Sequence, residues 1–430
     1  MKHPECPQKI NMAPVSIEMA DAQRFQQWLL ERQHPTDCSM TVGARARQDY
    51  FYALGLGAQM VSLKFNFVRA LMQRQVYHFP TSHYVNPLRC ASRSFECYFE
   101  RPTNCTMAAN PSRTSRRAHR RVESVKIEWC FDLPRKRLSR IAGLQGVHSK
   151  AWYHAQLAAY LFRPNREMRA LGRELLGNME GTVQPPAGGG GGGLALGRDG
   201  AGAGIVTVGR VQGAAGGANS SSCVAMHIRR TDKHTEDHRT AQRSFADFAQ
   251  SFKAWGYWAY PGVQQGLRAF LGSEDKATFD AMPPLLRPFG AYWIPSSYFV
   301  MDMSAKNKFV NIRQGNERLG QLYGSLEDAA KGKVAAGRAL HKDEGMVLIA
   351  QMLLMSGCEA LIASFSSNVA ILVHDLMYAR KVSRGEMTHA VDVNGRVYCG
   401  CGASFCMTLE RKTVREAGRS IKHVIDGFKY

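Results

Sequence analysis

Between residues 184 and 219 the chain carries too little side-chain volume to build a core, and that segment constrains every fold open to the rest. Gly188 to Gly193 form an unbroken run, with further glycine and alanine on both sides. It reads as a flexible insertion, so regular structure must come from the two flanks. The first flank is rich in cysteine, arginine and aromatic residues; the second alternates short apolar runs with amphipathic stretches. The division expected is a cysteine-rich N-terminal region over 1–183, the insertion over 184–219, an α/β domain over 220–385 and a C-terminal extension over 386–430.

In the second flank, Cys223 to Ile228 and Leu267 to Leu271 are apolar runs of strand length that end abruptly in charged residues. Runs without alternation suit strands buried on both faces of a parallel sheet. Gly345 to Ser356 carries helix formers over three turns, Ala360 to Ser364 reads as a strand, and Asn368 to Arg380 as a helix. Repeated βα units predict a doubly wound sheet with its ligand beyond the carboxyl ends of the strands. The chain is 430 residues long and 45% hydrophobic, enough to fill the cores of two domains.

Three clusters stand where strands run out. His227, Ile228, Arg229, Arg230, Thr231, Asp232 and Lys233 place two guanidiniums and an ammonium after the first strand. The planar fork of arginine matches phosphate oxygens, so a nucleoside diphosphate could be neutralised there without a metal, with Asp232 holding one arginine in place. The competing reading is an ordinary surface turn. Gly272, Ser273, Glu274 and Asp275 follow the second strand; their carboxylates could bond ribose hydroxyls or base N–H groups, or could cap the next helix. Ser364, Phe365, Ser366, Ser367 and Asn368 precede a helix, where backbone N–H groups and the dipole favour an anion and a serine is expected to cap.

Lysine and arginine number 56 against 35 acidic residues, a net charge of +21 attractive to phosphates, nucleic acid or acidic glycans. Much of the excess lies between Arg113 and Arg140 with little aromatic interleaving, and no module for base readout accompanies it. No specific nucleic-acid partner is expected. No apolar run reaches 18 residues and the first residues contain no apolar signal core, so no membrane attachment or secretion signal is expected within these residues. Eleven cysteines are present, five of them at Cys38, Cys90, Cys97, Cys105 and Cys130, beside a glycosylation-type Asn104-Cys105-Thr106. That density points to an oxidising compartment. Cys399, Cys401 and Cys406 lack a matching pair at zinc-finger spacing, and no metal site is expected.

The HIRRTDK cluster resembles the His-x-Arg-Arg-x-Asp-Lys motif of the α1,6-fucosyltransferases and of the related nodulation fucosyltransferases. FLGSED and EALIASFSSN, followed by a helix with Asp375, Leu376 and Met377, resemble that family's next two motifs in the same order. Segments around Cys38, Gly55 to Gln59, Cys97 and Trp152 to Pro164 look similar as well, so the resemblance spans most of the chain except the insertion. It implies a GT-B-like fold with a Rossmann-like donor domain and an N-terminal α/β region. It further implies metal-independent, inverting transfer of fucose from GDP-fucose to the innermost N-acetylglucosamine of an N-glycan, in the Golgi or secretory lumen.

Carried over by position, Arg229 would bind the pyrophosphate, while His227 and Arg230 would shape the donor site. Glu274, Asp275, Gln351, Ser366, Ser367 and Asn368 would contact the donor, with Lys233, Gly57 and Gln59 as further candidates. Glu236 would be the base that takes the acceptor proton, with Asp237 its neighbour and rival. The chain departs from the family pattern where Gln351 replaces an aspartate, Ile371 an arginine and Val61 a histidine, and the loop from Lys233 to Glu236 is one residue shorter. These departures leave open another acceptor, such as a protein hydroxyl, or a relative that binds a GDP-sugar without turnover.

Overall fold

Side chains in a strand alternate between faces, and in this protein the alternation delivers them to two separate cores. The structure, a computed structural model, describes residues 15–38, 55–82, 84–87, 89–105, 133–182, 223–229, 243–259, 267–299, 343–386, 388–393, 396–401 and 404–407. Its main sheet has six strands: β1 (Glu180–Gly181), β2 (Cys223–His227), β3 (Arg268–Gly272), β4 (Gly290–Trp293), β5 (Ala360–Ala363) and β6 (His389–Asp392). They lie in the order β1-β4-β3-β2-β5-β6. All neighbours from β4 to β6 are parallel, and β1 pairs antiparallel with β4. The sheet is therefore mixed, and the fold is α/β. A hairpin of β7 (Arg396–Cys401) and β8 (Ser404–Met407) stands apart from it.

Val224 and Met226 of β2, Ala269 and Leu271 of β3 and Ala360 and Ile362 of β5 enter one core. There they meet Phe248 and Phe252 of one crossover helix and Met282 and Leu286 of the next. Ala225, Phe270, Leu361 and Ala363 enter the other core. Helices thus cover both faces, which is why these strands read as apolar throughout.

The first half contributes α1 (Val15–Gln33), α2 (Leu56–Met72), α3 (Arg135–Ile141), α4 (Lys150–Leu161) and α5 (Arg166–Gly177). The second half contributes α6 (Phe245–Ala259), α7 (Ala277–Leu286), α8 (Glu344–Met355) and α9 (Asn368–Val382). In α5 the buried residues Met168, Leu171, Gly172 and Leu175 recur at helical spacing, and the Asn165 side chain caps the start by accepting from the Met168 N–H at 2.9 Å. Asp343 caps α8 in the same way, at 2.8 Å from the Met346 N–H.

The expected N-terminal α/β region supplies, among the described residues, five helices and the two-residue β1. Its apolar faces pack on the second half: Phe25, Phe67, Trp152 and Tyr160 share a core with Ile371, Leu372 and Val373 of α9. A buried ion pair between Lys64 of α2 and Asp375 of α9 crosses that contact. Disulfides join Cys38 to Cys105, Cys90 to Cys97 and Cys223 to Cys358. Among the described residues no helix is long and apolar enough to cross a membrane.

Candidate functional site

Strand register brings the three clusters to one edge. His227, the last residue of β2, lies opposite Gly272 at the end of β3 and opposite Ala363 at the end of β5. The sequence reading ended the second strand at Leu271; the structure carries it through Gly272, because Gly272 still pairs with β2. A side chain at Gly272 would meet Met355 Sδ at 2.8 Å and Gln351 Cδ at 3.2 Å, so glycine is what lets α8 lie against this strand end. That close approach puts Gln351 beside the terminus of β3.

Beyond β2, the Ile228 N–H donates to the Gly272 carbonyl at 2.9 Å and the Ser273 hydroxyl donates to the Ile228 carbonyl at 2.6 Å, so the first two clusters are laced together. Arg229 Nε then stands 3.7 Å from Glu274 Oε1, both side chains mostly buried. Asp275 Oδ1 accepts from the Ala277 N–H at 3.1 Å, a turn just ahead of α7, whose N-cap position is held by Lys276 without a side-chain cap, so the expected capping of this helix by the acidic pair is not found. Arg230, Asp232, Lys233, Glu236 and Asp237 lie outside the described residues.

His227 is 4% exposed, and burial first, then the Arg229 charge, lowers its pKa to about 3. The ring is therefore neutral in the physiological range, and the positive charge at this strand end belongs to Arg229 alone among the described groups of the first cluster.

The third cluster opens α9. Ser364 and Ser366 hydroxyls lie 3.0 Å apart, and the Phe365 N–H donates to Asp392 Oδ1 at 3.1 Å. Asp392, at the end of β6, was not singled out from sequence; its only signal is an acid closing the short run from His389. Ser367 occupies the N-cap position but its side chain makes no capping bond, contrary to expectation. Its hydroxyl is buried and has no hydrogen-bond partner among the described residues. The same is true of Asn368 Oδ1, Gln351 Nε2 and His227 Nδ1. Leaving such a group unpaired costs about 1–3 kcal/mol, and four of them sit along one edge.

From the first half, α2 reaches this edge through Gly57, where an added Cβ would lie 3.0 Å from the Val369 N atom and 3.3 Å from the Asn368 carbonyl carbon. Gln59 accepts from the Ser82 hydroxyl at 2.8 Å and is fully buried, so it supports α2 rather than facing the edge. Ile371 and Val61 are core residues.

Chemically the edge offers a guanidinium steadied by a carboxylate, a neutral imidazole, and the N-terminus of a 15-residue helix with unpaired hydroxyl and amide groups around it. Such a set suits a phosphorylated ligand. No protein-family model and no curated protein matches the chain.

Proposed function

We propose that the protein is a GDP-fucose-dependent fucosyltransferase related to the α1,6-fucosyltransferases, with a GT-B-like architecture and a Rossmann-like donor domain. The observation that carries this reading is the register of His227 with Gly272 and Ala363, which gathers three motifs distant in sequence at one strand edge. The parallel strands run in the order 3-2-1-4-5, which reverses between β2 and β5, and ligands of open α/β sheets bind at such a reversal. The third cluster follows β5 and the first follows β2, one on each side of it.

In this reading Arg229 neutralises charge that develops on the departing diphosphate, and Glu274 keeps its guanidinium in place. The start of α9, with Ser366, Ser367 and Asn368, receives phosphate oxygens, and Gln351 offers its amide to the nucleotide. His227 stays neutral, so it serves as a hydrogen-bonding group rather than a second cation. Glu236, by the family resemblance, takes the proton from the acceptor hydroxyl as it attacks, with an N-glycan N-acetylglucosamine as acceptor. The three disulfides among the described residues favour a secretory-pathway lumen such as the Golgi.

The test is release of GDP from GDP-fucose by purified protein in EDTA, with and without a GlcNAc-terminated biantennary N-glycan peptide. Acceptor-dependent, chelator-insensitive release supports the reading. Binding of GDP without release favours the second reading, a GDP-sugar-binding relative or an enzyme with a different acceptor, which the replacements at Gln351 and Ile371 motivate. Failure to bind GDP at all removes both.

A further inference from the structure

The short helix α3 carries its charges where a helix least accommodates them. Arg135, Lys136 and Arg137 fill its first turn with no acid among them, although the positive end of the helix dipole favours carboxylates there. From Leu133 to Ser149 the chain has four Lys/Arg residues and no Asp or Glu. A local choice that works against the helix is expected where the charge serves something outside it.

Lys136, Arg137, Arg140 and Ile141 are exposed, whereas Leu138, Ser139 and Ala142 are buried. At about 100° per residue the exposed four share one face of the helix. Lys136, Arg137 and Arg140 have no ion-pair partner among the described residues. Arg24 of α1 joins them: its side chain is 46% exposed, and its NH1 donates to the Gly143 carbonyl at 2.9 Å, just past the end of α3. Asp21 lies 3.8 Å from the same nitrogen, but it is buried and already holds His148 Nε2 at 2.7 Å and the Gln145 and Gly146 N–H groups. It therefore compensates Arg24 only in part.

The face is held in place by the backbone. Gly143, at φ +63°, closes α3, with the Leu144 N–H donating to the Ser139 carbonyl at 2.9 Å and the Gly143 N–H to the Arg140 carbonyl at 3.3 Å. The Asp21 bonds then tie the following loop to α1, so a ligand on this face has little backbone to order.

Four cations gathered on so short a surface call for closely spaced anions. Nucleic acid would add base stacking, but no aromatic residue stands between Leu133 and Ser149. A bilayer would take an apolar face, and α3 buries its own in the core through Leu138 and Ala142, leaving only Ile141 beside the cations. The disulfides among the described residues point to an oxidising compartment, where the dense polyanions are sulfated glycans. We propose that the outward face of α3, together with Arg24, binds a sulfated glycosaminoglycan chain. Guanidiniums can take sulfate oxygens in pairs as they take those of phosphate, whereas a glycan bearing carboxylates alone is too sparsely charged.

The experiment is calorimetric titration of the full chain with a heparin octasaccharide at about 0.15 M salt, beside a hyaluronan octasaccharide, an oligothymidylate and phosphatidylserine vesicles. Saturable heparin binding is expected, with hyaluronan at least tenfold weaker. An exposed ion pair contributes up to about fivefold, so Lys136→Gln/Arg137→Gln/Arg140→Gln should weaken heparin binding tenfold or more. Arg166→Gln/Arg173→Gln/Arg287→Gln removes the same charge from other exposed positions and should weaken it less than threefold. Thermal melts check that both variants are folded. No saturable heparin binding, equal losses in the two folded variants, hyaluronan as tight as heparin, or tighter binding of oligothymidylate or vesicles would overturn the proposal. None of these arms reads GDP or fucose, so this surface and the site at the strand edge stand or fall separately.

Discussion

Replacing Lys64 with methionine tests how the two halves of the chain are held together. Lys64 is 1% exposed and its partner Asp375 is fully buried, with His374 Nδ1 3.9 Å from the other carboxylate oxygen. Burial alone would raise the Asp375 pKa; the Lys64 ammonium, with His374 nearby, outweighs it and holds the carboxylate below its ordinary value. Methionine keeps the length of the side chain and removes the charge, leaving a carboxylate out of water with no full counter-charge. Breaking a buried pair in this way costs about 3–5 kcal/mol, a large fraction of the roughly 5–15 kcal/mol that holds a domain folded. Asp375→Leu should cost a similar amount for the mirror-image reason. The double variant Lys64→Met/Asp375→Leu should recover most of the loss, because apolar residues of similar size can replace a buried pair at little cost. Urea denaturation of the four proteins at pH 7 closes the cycle. Because the folded pKa of Asp375 is depressed, the pair's contribution is present above the unfolded value of about 3.9 and is lost as pH falls below it. The parent should therefore lose stability on acidification below pH 4 more steeply than the double variant. A single variant costing under about 1 kcal/mol, or a double variant no better than the sum of the singles, would refute the reasoning.

Arg229→Ala should lower acceptor-dependent GDP release by about 10²–10³ in kcat, measured by a coupled GDP assay, and near-normal turnover would unseat its role. Gly272→Val would force a side chain into Met355 and Gln351, costing about 1–3 kcal/mol in a thermal or urea melt. His154 and His227 are both held neutral to about pH 3, chiefly by burial, whereas unfolded rings take a proton near 6.5. Between those values the unfolded state binds more protons, so stability should fall as pH drops, by at most about 2.7 kcal/mol per pH unit for the two together. NMR titration showing either ring charged at pH 5.5 in the folded protein would contradict this. Replacing Cys223 by serine opens a covalent link spanning 135 residues and should cost about 4–5 kcal/mol in the chain-entropy description.

The elements that sequence foretold are those whose residues answer to a single environment. β2, β5, α8 and α9 are buried on nearly every side, so mainly apolar composition marks β2, β5 and α8, and helix-forming residues around an apolar stretch mark α9, to within a residue or two. β4 escaped notice because Gly290 to Trp293 is only four residues long and owes its strand geometry to β3 beside it. α2 hides its helical pattern by being buried on almost all faces, Lys64 included, and an ionisable residue there reads as surface until its partner 311 positions away is known. In the same way the position of Arg229 was legible from the end of an apolar run, but its pairing with Glu274 depends on strand register. Gln351 and Asp392 reach the edge only through α8 packing on Gly272 and β6 pairing with β5. No local pattern encodes either. Ser367 shows the opposite failure: a capping signal was present and the side chain does not cap.

The Cys223–Cys358 bond lies at the amino ends of β2 and β5, with the Glu359 N–H donating to the Cys223 carbonyl at 2.8 Å beside it. Mechanically this makes the two central strands one unit. Tension arriving along the chain ahead of Cys223 enters the sheet through a covalent crosspiece and is divided between both strands, so β2 cannot be sheared past β5 from that end. In a single-molecule pull the sheet should rupture first at its flanks, where among the described residues no disulfide ties β1 or β6 to its neighbour, and reducing agent should move the point of failure inward to the seam between β2 and β5.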